Sequence, residues 1–159
     1  MKSASLKEIK ARLENLSNDE LISLITRLSK FKKENKELIT YVLFEETNEV
    51  LYVQSVKDEM DILFKSLNTD NIYFAKKNIR KIIRIVNRYI KYSEQKTTEV
   101  ALLIHACIKI KESGLNLDKS QALTNIYFSL LKRINKAVDS MHEDLQFDFN
   151  KELANINIF

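Results

Sequence analysis

Glycine occurs once and proline not at all in this 159-residue chain. Both residues punctuate turns and break helices. Their scarcity excludes a β-rich or α/β architecture, whose tight turns need more of them. A single glycine, Gly114, also excludes a Gly-rich phosphate loop. The one cysteine, Cys107, excludes a disulfide framework. The longest uninterrupted apolar run, Val100 to Ile104, is far too short to span a bilayer. The opening residues, MKSASLKEIK, lack the apolar core of a secretion signal. A cytoplasmic protein is expected.

What remains is helix-forming. Hydrophobic residues make up 45% and charged residues 30%, which suits a globular core and is too apolar for a disordered chain. One domain over 1–159 is expected, all-α, built as an antiparallel bundle or a short HEAT- or armadillo-like superhelix of about six helices.

Ser5-x-x-Glu8 and Ser17-x-x-Glu20 have capping-box spacing. They predict a first helix to about Glu14 and a second to about Phe31 that buries Leu21, Leu24, Ile25 and Leu28. The short Asn15–Ser17 joint predicts an antiparallel hairpin of the two. Lys32–Glu37 reads as a charged joint. From Leu38 to Leu67 the apolar pattern is interrupted at Glu45–Glu49 and fits either one kinked helix or two. Asn68-Thr69-Asp70 is short enough to turn the chain back on itself. The helix centred on Val100–Ile110 is apolar nearly all round and predicts the most buried element, ending at Gly114. Asp118-x-x-Gln121 reads as the cap of the last long helix, whose stripe runs from Leu123 to Met141. Phe147, Phe149, Leu153, Ile156 and Phe159 predict a final helix or docked segment.

The stretch LKEIKARLENLSNDELISLITRLSKFKKENKELI resembles the start of a family of uncharacterised small bacterial all-helical proteins. That family has an LKE-type helix followed by an LSxDEL-type turn. The resemblance covers about the first quarter of the chain. It implies α-helices, which could stack as HEAT or armadillo units do, and no assigned activity.

The most uneven stretch is residues 70–93, DNIYFAKKNIRKIIRIVNRYIKYS. At 100° per residue, Ile72, Ala75, Ile79, Ile82, Ile83, Val86, Tyr89 and Ile90 share one arc. Lys76, Lys77, Arg80, Lys81, Arg84, Arg88 and Lys91 share another, roughly 140° wide, into which Tyr73 projects, with Tyr92 near its edge. Asp70 is the segment's one acid, placed as a helix cap, so the segment carries +6 in a chain of +4. Lys76–Arg80, Arg80–Arg84, Arg84–Arg88 and Lys77–Lys81 are like-charge pairs four apart. Together they cost on the order of 1–2 kcal/mol on an exposed helix.

A counter-charge is therefore expected. Residues 45–61, with Glu45, Glu46, Glu49, Asp58, Glu59 and Asp61, supply it from within on one reading, which leaves a non-enzymatic scaffold or interaction module with a protein partner. A nucleic acid supplies it from outside on the other, its backbone along Tyr73, Lys76, Lys77, Arg80, Lys81, Arg84, Arg88 and Lys91. A membrane-surface role ranks below both, because the apolar arc is needed by the core.

Catalytic constellations are not legible. His105 and Cys107 stand about 200° apart on their helix and cannot share a metal. His105 reads as a core histidine, and Cys107 lacks the flanking cation of a nucleophile. Asp139-x-x-His142 reads as a solvated surface pair. The carboxylate pairs Glu45/Glu49 and Asp58/Asp61 suit a wet helical face better than a general acid and base. The sequence assigns no cofactor, no metal and no reaction.

Overall fold

The structure is a computed structural model that describes residues 2–69, 71–154 and 156. The described residues are helical, with no strand among them, and none of their helices is long and apolar enough to cross a membrane. The chain groups into two compact units, Met1–Phe44 and Glu45–Phe159.

In the first unit, α1 (Leu6–Leu13) and α2 (Asn18–Phe31) open on complete capping boxes at Ser5/Glu8 and Ser17/Glu20. These boxes hold both glutamates below the usual carboxylate range: at Glu8 through Ser5's hydroxyl and then its backbone, at Glu20 through Ser17's backbone and then its hydroxyl. The residues expected to be a charged joint instead form the first turns of α3 (Lys33–Thr40), where Lys33 pairs with Glu37 at 3.2 Å. The expected hairpin of α1 on α2 is replaced by one of α2 on α3. A single extended residue, Lys32, reverses the chain between them, and Asn35 Nδ2 ties back to the Leu28 carbonyl at 2.9 Å. Leu21 and Leu24 are half-buried, while Ile25 and Leu28 stay largely exposed rather than buried.

The 38–67 pattern resolves into two α-helices joined by irregular turns. A π turn over Tyr41–Glu45 and a 3₁₀ turn over Glu46–Asn48 lead into α4 (Glu49–Lys65). Asn48 leaves helical geometry and caps α4 by accepting from the Leu51 amide at 3.3 Å.

The second unit packs α4, α5 (Ile72–Ser93), α6 (Lys96–Glu112), α7 (Gln121–Val138) and α8 (Glu143–Ala154) around α6. Its core comprises Val56 and Met60 of α4, Ile79 and Val86 of α5, and Leu123, Tyr127 and Ile134 of α7. These surround Val100, Leu103, Ala106, Cys107 and Ile110 of α6. The Tyr127 hydroxyl donates to the Ile156 carbonyl at 2.9 Å and holds the buried Ile156 against this core.

Three expected boundaries move. Asn71, not Asp70, caps α5, accepting from the Tyr73 and Phe74 amides; Asp70 lies outside the described residues. Asp118 does not cap α7. It sits in a 3₁₀ turn (Leu117–Lys119) closed by Asn116, and Ser120 is the N-cap residue. The α7 helix stops at Val138, which leaves Met141 beyond the stripe. Gly114 follows α6 at φ 72, the left-handed geometry that glycine tolerates. In α8, Leu153 is buried and Phe147 exposed; Phe159 lies outside the described residues.

Candidate anion-binding face

The α5 helix turns most of its apolar arc inward: Ala75, Ile79, Ile82, Val86 and Ile90 are buried and Ser93 closes the row, while Ile83 and Tyr89 are half-buried at the borders and Ile72 is exposed at the start of the helix. The opposite arc is where the cations stand. Lys77, Arg80, Lys81, Arg84 and Lys91 are exposed. Lys76 is half-buried, its Nζ 5.6 Å from the centre of the Tyr73 ring. Arg88 is half-buried too, its guanidinium carbon 5.6 Å from the centre of the Tyr89 ring. It is set back from the other cations.

Where the acids go decides what this face can do. Apart from α5, residues 45–159 carry ten Lys/Arg against sixteen Asp/Glu, so internal compensation has ample material. It is used elsewhere. Glu49 accepts from the Ser93 hydroxyl and, at 2.5 Å, from the Thr98 hydroxyl, joining the ends of α4, α5 and α6. Glu59 accepts from the Tyr89 hydroxyl at 2.7 Å. Asp58 accepts from Gln54 on its own helix at 2.8 Å. Asp61 faces α6, with Oδ1 2.7 Å from His105 Nε2 and 3.4 Å from Lys109 Nζ. Among the described residues, no acid lies within ion-pair distance of Lys77, Arg80, Lys81, Arg84 or Lys91.

Two flat rings stand at the N-terminal end of the arc. Tyr73 is 62% exposed and Phe74 51%, packed edge to face with centroids 5.6 Å apart. Phe74 escapes a reading by periodicity, because it falls on the border between the two arcs. Tyr92 is half-buried and packs edge-on against Tyr89, so it does not extend the platform. The opposite flank of α5 is closed by Arg133 of α7, which donates to Asn87 at 2.5 Å and to Glu99 of α6.

The remaining candidates for chemistry sit apart from this face. His105 is half-buried rather than in the core, and its ring is partnered by Asp61 of α4. Burial raises the Asp61 pKa, but the hydrogen bonds and charges of His105 and Lys109 outweigh it and leave the carboxyl below its usual range. Burial pushes the Cys107 thiol up to about 12, which keeps it protonated and unreactive at neutral pH. The expected Asp139–His142 pair does not share a helical face, because α7 ends before it. His142 instead lies 3.4 Å from Asp144 at the surface. No three metal-ligating side chains converge among the described residues.

Among known proteins, no family model, no curated protein and no solved structure matches the chain.

Proposed function

We propose that this protein is a non-enzymatic helical interaction module whose α5 face takes the phosphate backbone of a nucleic acid. The observation that carries the proposal is the exposed alignment of Lys77, Arg80, Lys81, Arg84 and Lys91 with no acid within ion-pair distance of them among the described residues. A face that keeps its like-charge repulsion is one whose counter-charge arrives with a partner.

The geometry supports a strand in preference to a compact anion. From Lys77 to Lys91 the cations span about 21 Å of helix at 1.5 Å per residue, several phosphates in length. Tyr73 and Phe74 at one end offer ring faces on which unpaired bases stack, an interaction worth about 1–3 kcal/mol per base. Long exposed cations beside two exposed rings suit recognition of charge and stacking rather than of sequence. A membrane surface fits less well, because Ala75, Ile79, Ile82, Val86 and Ile90 of the apolar arc are buried in the protein's own core.

The test is anisotropy of a labelled single-stranded oligonucleotide titrated with the protein. Replacing Arg80→Glu together with Arg84→Glu is expected to weaken binding by about tenfold or more through lost and reversed phosphate contacts. The helical signal and melting cooperativity should persist, since both side chains are exposed. Affinity unchanged by the double reversal would overturn the proposal.

A further inference from the structure

Among the described residues, α5 and α7 are the two α-helices that contain no Asp or Glu. Their 22 and 18 residues hold seven and three Lys/Arg. An even spread of the chain's 22 acids over its 159 residues would place about five or six there. The two helices are neighbours. Arg133 of α7 donates to Asn87 of α5 at 2.5 Å and to Glu99 of α6, which neutralises it. The other cations of α7, Lys132 and Lys136, are exposed. At 100° per residue Lys136 stands about 60° from Arg133, almost directly opposite the buried stripe, and Lys132 lies about 40° farther round.

The chain reverses on either side of α6, so α5 and α7 run the same way and end together where α6 begins. A third cation stands at that end. Lys96, the first residue of α6, is exposed, and its Nζ donates at 2.9 Å to the Ser140 hydroxyl, one turn beyond Lys136. It sits at the positive end of the α6 dipole, where a cation is disfavoured unless an anion joins it. Lys91, the last cation of the α5 row, precedes it by five residues. Lys91, Lys96, Lys136 and Lys132 therefore form a path round this end of the unit. Glu94, in the turn after α5, and Asp139, in the cleft beside Lys132 and Lys136, are acids on the same path. Among the described residues no acid lies within ion-pair distance of Lys96, Lys132 or Lys136.

We infer that the binding site continues from α5 round this end onto α7. The protein then takes a single-stranded nucleic acid longer than the ~21 Å of α5, with its further phosphates on Lys96, Lys136 and Lys132. This rests on α5 holding the first part of the strand. The Arg133 bridge is the joint between the two basic helices, itself neutral and outside the phosphate path.

Two labelled single strands of one repeating sequence test this on the full chain. At about 3.4 Å per stacked nucleotide, a strand of about 6 nucleotides covers α5 and one of about 12 reaches α7 as well. Extra registers on the longer strand raise its affinity but not its salt slope, so the slope decides. The shorter strand should show the slope set by the five exposed cations of α5. The longer should be steeper by about 2, near 0.7 for each of Lys96, Lys132 and Lys136. Lys132→Glu with Lys136→Glu should remove about 1.4 of that difference and weaken the longer strand about tenfold, leaving the shorter within about twofold. Both side chains are exposed, so the helical signal should persist. Equal slopes for the two strands, or a double variant that binds both as the unmodified chain does, would overturn the inference. So would equal weakening of both strands, since α7 would then act only through the general field of the protein. The α5 face survives each of these results if Arg80→Glu with Arg84→Glu still weakens the shorter strand. An unmodified chain that holds neither strand would overturn both.

Discussion

The Tyr89 hydroxyl of α5 donates to Glu59 Oε2 of α4 at 2.7 Å. The acid that borders the basic helix is thus held by a neutral phenol on the flank of α5, not by a cation of its open face. Glu59 and Asp61 are two residues apart and so point to opposite borders of the buried stripe of α4. Glu59 reaches α5, and Asp61 reaches α6 through His105. Glu49, Glu59 and Asp61 act as struts between helices, and among the described residues no acid lies within ion-pair distance of Lys77, Arg80, Lys81, Arg84 or Lys91.

A first consequence concerns stability. Arg84 stands four residues from both Arg80 and Arg88, and reversing it converts two repulsions into two attractions. Arg84→Glu is expected to stabilise the protein by about 1 kcal/mol at low salt, with the gain shrinking as salt rises. Urea denaturation at two ionic strengths checks this. A variant more stable than the parent and weaker in nucleic-acid binding would indicate that the repulsion is retained for function.

The Asp61 strut predicts a pH dependence. Its carboxyl titrates lower in the folded chain than in the unfolded one. Its contribution is therefore complete above the unfolded aspartate value of about 4 and is lost as pH falls through the folded value. Asp61→Asn should cost about 1 kcal/mol near neutrality, a charge-assisted bond discounted for solvent screening. It should also flatten the fall in melting temperature between about pH 5 and 3. Parallel melting curves for parent and variant across that range would contradict the assignment.

Two capping boxes, the inward arc of α5 and the burial of α6 were legible in the sequence, because each depends on residues within one or two turns of each other. Ser5 needs only Glu8, and the arcs of α5 need only its own periodicity. Asp118 misled because Asn116 and Ser120 offer competing caps on either side, and local spacing does not rank them. The partnering of Ile25 and Leu28 misled for another reason: amphipathicity says that a face seeks cover, not which neighbour covers it. The fate of the 45–61 acids depended on the rotation of α4 against α5 and α6, a tertiary quantity that no single stretch encodes. The eight residues expected at the site share α5, but Arg88 and Lys76 lean into the surface, and Phe74 joins Tyr73 unannounced.

Core positions should separate sharply from exposed apolar ones. Leu103 is fully buried in α6, and Leu103→Ala is expected to cost about 2–5 kcal/mol through lost transfer energy and a cavity. Leu51, 64% exposed on α4, should lose less than about 0.5 kcal/mol on the same change. Denaturation midpoints of the two variants, compared at equal slope, measure the difference.

Cys107 predicts a kinetic signature. Buried, with its thiol raised to about 12, it should resist an aromatic disulfide reagent at neutral pH and react at once in denaturant. Rapid labelling of the folded chain would place α6 nearer the surface than the packing described above.

The most direct test of the binding face is the salt dependence of single-stranded nucleic-acid affinity for the unmodified chain. Five exposed cations predict a log–log slope of about −3.5, near −0.7 per phosphate contacted, reduced in magnitude by roughly one and a half when Arg80 and Arg84 are both reversed. A slope near zero, or the same slope in both proteins, would mean that α5 does not hold the strand.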